Sequence, residues 1–519
     1  MTEGSDQPLA TLRAGGSFAS ALSMELLGEL DSSALGAFLA ASRWFGGKGS
    51  TPHSVRITDV VPVEWSDAHD AHAASAVVRL AVHSSDGSET GYQLPLVVRE
   101  DAGWSDNVQR PPANAILARV DSTGRSGIIY DALHDAAFRS RLAGALEHGA
   151  SFEANGARWT VTPIGGGAPG LGSVESRLAS AEQSNSSVIF GDRAILKLFR
   201  KLAPGINPDV EVTRFLTVRT TYRDTPELLA EVSFESADGE KSVAGMLTRL
   251  VHGAEDGWSY ALHDIASFLG ARGNGGVPSD GFAGDARRLG EVTRELHAAL
   301  ASASDDPAFA VEPVSGDDIS RWTARTLATI DSALDLLAAR AAALDQKTAA
   351  MARAIAGRRS AIHELLDEAS HGARGERAAE QGIKSRTHGD YHLGQLLHAP
   401  DGRWYVIDFE GEPARPIPER RELASPARDV AGMLRSFGYA AATGASRAGG
   451  VGTNPATEIR SAHWERDARA AFLEGYGADA NDPLVELFEM EKMFYELAYE
   501  LNNRPDWVWV PLRAIARLF

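Results

Sequence analysis

An α+β fold in two lobes, preceded by a small sheet-containing unit, is the architecture predicted by this sequence of 519 residues. Three observations lead there. The chain is longer than one hydrophobic core ordinarily holds. Its first half carries short segments of β character separated by Asp/Ser/Gly turns, such as Ser84-Ser85-Asp86-Gly87. Its second half is dominated by Ala- and Leu-rich stretches of helical period, at 284–303, 317–345 and 347–368. The boundaries expected are 1–125 for the N-terminal unit, 126–255 for a β-rich lobe and 256–519 for a mainly helical lobe.

Within the first unit the pattern predicts a helix over Ser33–Ser42 and strands at Ser54–Trp65, Ser75–Val82 and Tyr92–Val98. The second region reads as a helix over Tyr130–His148, then strands at Arg158–Pro163, Ser187–Phe190, Ala194–Phe199, Leu229–Phe234 and Val243–Leu250. The polar segment Ser370–Gln381 reads as a connector. Gly165–Gly172 is rich in glycine, but it contains Pro169 and leads into no P-loop Lys-Ser/Thr, so it is read as a flexible link.

Composition excludes several kinds of chemistry. With 51 Lys+Arg against 70 Asp+Glu the net charge is -19, which repels a polyanion and argues against nucleic acid as a partner. There is no cysteine, so disulfides, thiolate catalysis and Cys-ligated zinc are absent. No signal-like leader and no run of eighteen apolar residues occurs, so no membrane association is expected and the cytoplasm is the expected location.

The motifs point to phosphoryl transfer, which needs an oriented acceptor hydroxyl, a metal ion on the phosphates and neutralised charge. Asp390, in Thr387-His388-Gly389-Asp390-Tyr391-His392-Leu393-Gly394-Gln395, is the candidate catalytic base, with His388 bracing the same loop. Gln395 and Asp408, the latter in Val406-Ile407-Asp408-Phe409-Glu410-Gly411, are the candidate Mg²⁺ ligands, oxygen donors as a hard cation requires. Pro400-Asp401-Gly402-Arg403 predicts a hairpin, and with Asp401-Gly402 as a two-residue loop Gln395 falls opposite Asp408. Read alone, Asp390 is equally a helix cap and Asp408 a strand-end turn residue.

A kinase also needs a lysine on the ATP phosphates and a carboxylate to orient it. Lys197 follows the turn Gly191-Asp192, and a two-residue loop there sets Ser186 opposite it, with the hydroxyls and amides of Ser184, Asn185, Ser186 and Ser187 alongside. Asn207-Pro208-Asp209 opens a helix, and Glu211 in its first turn is the expected partner of Lys197. By itself Lys197 reads as well as a strand-end lysine reaching solvent.

These segments resemble the maltokinase family, whose members are similar to aminoglycoside phosphotransferases and, more distantly, to protein kinases. The resemblance rests on Arg43-Trp44-Phe45-Gly46-Gly47-Lys48-Gly49, Glu182–Ser187, Ile195–Arg200, Pro204–Pro208, the Asp390 loop, Asp408–Arg415, Ser425–Ala442 and Tyr495–Leu512. It is particularly close to kinase domains fused to trehalose synthases, which share the forms HGDYHLGQ and DFEGEPARP. It implies a bilobal protein-kinase-like fold with an N-terminal cap subdomain. The activity it implies is ATP- and Mg²⁺-dependent phosphorylation of the anomeric hydroxyl of maltose, on the route from trehalose to α-glucan, in functional partnership with a trehalose synthase. Asp390, Gln395 and Asp408 fall on the family's base and two metal ligands. Thr248-Arg249-Leu250-Val251-His252 falls on the hinge that holds adenine, which places Arg249 and Val251 at the nucleotide.

Near the C-terminus Lys492, Glu496, Tyr499 and Asn503 recur on one helical face, with Glu500 and Arg504 alongside, and are the candidate sugar-binding residues. A plain Lys492–Glu496 pair on a solvated face is the competing reading. Two further functions stay open: a glucosamine or aminoglycoside kinase of the same fold, and a non-catalytic kinase-like subunit regulating a glucan-metabolic enzyme.

Overall fold

The computed structural model describes residues 9–45, 52–65, 72–85, 87–105, 108–179, 185–270, 281–303, 305–375, 382–412, 415–449 and 454–519. The chain packs as two compact units, one running up to Val218 and joined by Pro226–His252, the other made of Arg219–Thr225 and everything from Gly253 onward.

The first unit contains two mostly antiparallel sheets. One is built from β1 (Thr11–Arg13), β2 (Ser54–Pro62), β3 (Ala73–His83), β4 (Glu89–Glu100), β5 (Ile116–Ser122) and β6 (Arg125–Asp131), in the order β1-β5-β6-β4-β3-β2. The other is built from β7 (Ala150–Ala154), β8 (Ala157–Pro163), β9 (Ser176–Leu178), β10 (Asn185–Phe190), β11 (Ala194–Phe199), β13 (Leu228–Glu235) and β14 (Lys241–Arg249), in the order β7-β8-β13-β14-β11-β10-β9. The short strand β12 (Lys201–Leu202) follows β11 directly but pairs with β4, so the chain crosses from one sheet to the other at Arg200.

Alternation on β3 explains why these sheets share one unit. Val78 and Leu80 face a core closed by Leu35, Phe38 and Leu39 of the Ser32–Ala41 helix. Val77 faces a second core that includes Phe138 and Leu142 of the Ala136–His148 helix and Val188, Leu196 and Leu198 of the second sheet. A strand buried on both faces reads as the near-continuous apolar run Ala-Val-Val-Arg-Leu-Ala-Val.

Two expectations are corrected here. The helix expected over 130–148 begins at Ala136, because Tyr130 and Asp131 complete β6 and Asp135 supplies the cap, its Oδ1 accepting the N–H of Phe138 at 2.8 Å. The first sheet therefore runs past residue 125, which lies at the start of β6. Asp135 also accepts from Arg99 at 2.8 Å and from the Tyr130 hydroxyl at 2.5 Å, all three side chains being buried.

The second unit is mainly helical, its longer helices being Gly257–Gly270, Gly281–Leu300, Gly316–Arg340, Gln346–Ala356, Arg359–Ala373, Ala427–Arg447, Pro455–Tyr476 and Pro483–Asn503. The connector expected at 370–381 starts later, since the Arg359 helix continues to Ala373. Gly281–Leu300 and Pro455–Tyr476 meet at glycines. A Cβ on Gly290 would lie 2.1 Å from the Phe472 carbonyl, and one on Gly475 2.0 Å from that of Arg287, so no larger residue fits either position. Small strands β15 (Glu255–Asp256), β16 (Glu312–Pro313), β17 (Ile383–Lys384), β18 (Leu396–His398) and β19 (Trp404–Val406) complete the unit, and β15-β18-β19 form a three-stranded sheet. Among the described residues no helix is long and apolar enough to cross a membrane.

Removing the Asp135 carboxylate leaves a buried guanidinium and an uncapped helix, and breaking such a pair costs about 3–5 kcal/mol. Asp135→Ala is expected to lower the chemical-denaturation midpoint of the first unit substantially. Asp135→Asn, which keeps a capping oxygen, should lose less.

Candidate active site

The Asp390 loop is held from beneath by a residue that the motifs do not single out. Asp429, in the first turn of the Ala427–Arg447 helix, is buried and accepts the backbone N–H of His388 at 2.7 Å and of Gly389 at 2.9 Å. Its Oδ2 also meets His297 Nε2 at 3.0 Å, and His297 Nδ1 meets the Tyr476 hydroxyl at 2.9 Å. Burial works to raise the Asp429 pKa, yet the His297 hydrogen bond, the charges of His297 and His388 and the Gly389 amide keep it below the usual carboxylate range. The one signal in the sequence is a lone acid on an otherwise apolar helical face.

His388 acts as a brace. Its Nε2 lies 2.9 Å from the Ile407 carbonyl, which can only accept, so Nε2 carries the proton and Nδ1 is left to accept the N–H of Asp390 at 3.3 Å. The Ile407 N–H in turn donates to the Gln395 carbonyl at 3.0 Å, so this residue is fixed on both sides. Asp408 comes next, at φ 69, a left-handed conformation that Asp tolerates better than most side chains.

The expected register between Gln395 and Asp408 is off by one. β18 and β19 pair Leu396 with Val406 and His398 with Trp404, and Gly402 at φ 82 closes a loop of three residues between Ala399 and Arg403. Gln395 thus lies across from Ile407 rather than Asp408. A type I turn followed by a left-handed glycine adds the extra residue. The carboxylate oxygens of Asp408 and Glu410 lie within 4.8 Å of each other, which adds Glu410 as an oxygen donor.

Asp390 lines a cavity of about 190 Å³ in the second unit. Lys492 Nζ donates to Asp390 Oδ1 at 3.0 Å and to Glu412 Oε1 at 3.2 Å. Burial pushes the Asp390 pKa up, but Lys492, His392 and His388 together outweigh it and hold the carboxyl below its ordinary value. Burial works to lower the Lys492 pKa, and the charges of Asp390, Glu412 and Glu496 reverse that and raise it. His392, its Nε2 3.9 Å from Asp390, is pushed down by burial against the pull of Asp390.

The other acids of this cavity are paired as well. Glu491 meets Arg428 at 2.9 Å, Arg415 at 3.4 Å and Arg325 at 3.4 Å, and Glu412 is bonded to Arg415 besides Lys492. Tyr495 and Thr329 also line it. Of the residues expected at a sugar site on the C-terminal helix, Lys492 lines the cavity and the others do not. Glu496 pairs with Arg435 at 2.7 Å, and Glu500 pairs with Arg504 at 2.6 Å and accepts from the Tyr439 hydroxyl at 3.3 Å. Tyr499 is exposed, and Asn503 donates to its carbonyl at 2.9 Å. At 1.5 Å per residue, Asn503 stands about 16 Å along the axis from Lys492, so a shared face does not make a shared site.

In the first unit, β10 and β11 pair Ser187, not Ser186, with Lys197, because the loop holds Gly191, Asp192 and Arg193 rather than two residues. Ser186 is on the opposite face, where its hydroxyl accepts from Arg200 Nε at 2.8 Å. Lys197 Nζ donates to Asp209 Oδ2 at 3.3 Å, which adds Asp209, in the first turn of the helix Pro208–Arg219, to the expected Glu211 of the same turn. Asn207 Oδ1 accepts the N–H groups of Asp209 and Val210 and starts that helix. Arg249 ends β14 in an exposed pair with Glu227 at 2.7 Å, Val251 follows it half-buried, and Asn185 opens β10. Ser184 lies outside the described residues.

The two-sheet unit and the helical unit together form the two-lobed, kinase-like α+β fold. A solved glucosamine kinase in complex with glucosamine, ADP and inorganic phosphate matches 96% of this chain and 99% of its own, with a TM-score of 0.62 at 22% identity. Residues 38–135, which carry β2 to β6 of the first sheet, match the maltokinase N-terminal cap domain. The chain is 28% identical to a glucosamine kinase of Streptacidiphilus jiangxiensis over 342 residues, 64% of this chain and 70% of that protein. It is 26% identical to a glucosamine kinase of Mycolicibacterium smegmatis (strain ATCC 700084 / mc(2)155) over 355 residues, 66% of this chain and 79% of that protein.

Because the Asp429 pKa is depressed in the folded state, its contribution to stability is present above the unfolded carboxylate value of about 4 and is lost as pH falls through the folded value. Asp429→Asn should therefore lower stability at pH 7 by about 1.5–3 kcal/mol, the worth of a hydrogen bond to a charged group. The difference from wild type should shrink below about pH 4, as checked by urea denaturation at a series of pH values.

Proposed function

We propose that this protein is an ATP-dependent sugar kinase that transfers the γ-phosphate to the anomeric hydroxyl of maltose, giving maltose 1-phosphate. The observation that carries the reading is the Asp390 cavity, where a carboxylate kept ionised beside Lys492 faces a space whose acids are all matched by cations. Three carboxylates, Asp390, Glu412 and Glu491, stand against Lys492, Arg325, Arg415 and Arg428, while Asp429 is turned to His297 and the loop amides. A neutral acceptor fits such a balance, with the polar groups of Thr329 and Tyr495 available to hydroxyls. A protonated amine would add one more cation where no carboxylate is free of one. The maltokinase-type cap supports the same acceptor, and the family resemblance points to a trehalose synthase as the source of maltose.

Asp390 accepts a hydrogen bond from the sugar hydroxyl, orients it and receives its proton as the bond to phosphorus forms. The loose transition state of phosphoryl transfer makes positioning more important than base strength, so a carboxylate of low pKa is adequate. An anomeric hydroxyl is also more acidic than other sugar hydroxyls, which lessens the demand on the base. Lys492 holds Asp390 ionised and fixed. The hard oxygen donors Asp408, Glu410 and Gln395 fit Mg²⁺, which when bound supplies charge neutralisation at the phosphates. Lys197, oriented by Asp209, is suited to grip a phosphate group.

A glucosamine acceptor is the second reading, favoured by the names of the two relatives. An ADP-release screen with maltose, glucose, glucosamine and an aminoglycoside separates the two, with NMR locating the phosphate. Turnover of maltose well above glucosamine, with phosphate on the anomeric carbon, is expected; preference for glucosamine would overturn the maltose assignment. Asp390→Asn should abolish ADP release while leaving the circular dichroism spectrum unchanged, and appreciable residual turnover would sink its assignment as base.

The charge of Lys492 also sets a pH dependence. Asp390 must be ionised, and its lowered pKa keeps it so well below neutrality. In Lys492→Met the raising effect of burial is no longer opposed by the nearest cation, so the acid limb of the kcat/KM profile should move to higher pH. An acid limb that stays in place would show that Lys492 does not govern the Asp390 charge.

A further inference from the structure

Behind β10, on the face away from Lys197, the first unit holds a second cavity of about 320 Å³. Cross-strand partners share a face, so Ser187 stands with Lys197 while Ser186 stands with Leu198 and, two residues on, Arg200. The cavity is closed by that second face and by the first sheet's own elements, through Arg43 and Trp44 after the Ser32–Ala41 helix and Asn114 before β5.

Its chemistry is that of an anion site. Arg200 is 1% exposed, yet its guanidinium is only partly used: Nε donates to Ser186, one terminal nitrogen donates to Asp131 at 2.6 Å, and the other, Nη1, has no hydrogen-bond partner among the described residues. A buried guanidinium nitrogen without an acceptor is uncommon and calls for one. The guanidinium carbon lies 4.7 Å from the centroid of the Trp44 ring, a cation–π contact that leaves the nitrogens to make hydrogen bonds. Arg43 adds a second positive charge at the exposed rim, and Asp131, the one carboxylate of the cavity among the described residues, is already neutralised by Arg200. The carboxamides of Asn114 and Asn185 suit hydroxyl groups. The motif Arg43-Trp44 and the crossing residue Arg200 have no part in the phosphoryl transfer described above.

We infer that this cavity binds a small phosphomonoester with a hydroxylated body, of the hexose phosphate class, between Arg43 and Arg200. The bound phosphate supplies the acceptor that the Arg200 guanidinium lacks. Its body rests beside Asn185 and Ser186, directly behind the strand whose other face carries Ser187 next to Lys197, so occupancy is placed to bear on that strand.

The test is calorimetric titration of the full chain with glucose 1-phosphate, with inorganic phosphate and gluconate as comparison arms. Lys197→Met serves as the background, so that binding on the Lys197 face is removed. Saturable binding of glucose 1-phosphate is expected in that background, weaker binding of inorganic phosphate and none of gluconate. Arg43→Gln and Asn114→Asp, both at exposed positions, should each weaken glucose 1-phosphate binding about tenfold or more, by loss of a charged donor and by repulsion respectively. Absence of saturable binding, equal binding of gluconate, or binding that neither variant changes would overturn the inference.

Discussion

One buried carboxylate, that of Asp429, holds the geometry on which the candidate active site depends. It takes the amide protons of His388 and Gly389 directly, so the loop cannot shift without stranding two donors or an anion in the interior. From there the constraint passes along named atoms. His388 is left with its proton on Nε2, that proton goes to the Ile407 carbonyl, and Ile407 is tied through its own amide to Gln395. Asp390 and Asp408 thus stand on backbone fixed by one network, and the left-handed turn at Asp408 is the strained point that the network sustains.

The arrangement also explains how an acid survives as an anion where burial opposes its charge. Burial raises the pKa of both Asp390 and Asp429, and each is returned below its ordinary value by a different device. For Asp429 these are hydrogen bonds from His297 and the Gly389 amide, with the charges of His297 and His388. For Asp390 it is chiefly one ammonium group, shared with Glu412, helped by His392 and His388. A shared cation is adjustable where amide donors are not, which suits the proposed role of Asp390 as a proton acceptor and that of Asp429 as a fixed support.

Much of this was legible in the sequence, and the exceptions have physical causes. Asp390, His388 and Asp408 stand out because short-range spacing places them, and Lys197 because a hairpin precedes it. Both hairpin registers come out one residue off, since a glycine in the left-handed region closes a two-residue and a three-residue loop equally well. A slip of one turns every side chain to the other face, which is how Ser186 rather than Ser187 was set beside Lys197. Asp429 and Glu491 escape notice for a different reason: their partners lie tens of residues away, and no local pattern records a contact of that separation.

The C-terminal helix shows the same limit from the other side. Its polar face looks like a single site on a helical wheel, yet its members answer to three different neighbours. Lys492 turns to the Asp390 loop, Glu496 to Arg435 of the Ala427–Arg447 helix, and Glu500 to Tyr439 and Arg504. Periodicity reports which residues share a direction, whereas depth along the axis decides which share a cavity. The buried pairs at Glu496 and Glu500 are therefore best understood as fixing the helix against its neighbours, with burial raising both pKa values and the cations opposing it. That rigidity is what allows a single residue of the helix, Lys492, to meet Asp390 at hydrogen-bond distance, since a long side chain on a mobile support could not hold one carboxylate ionised.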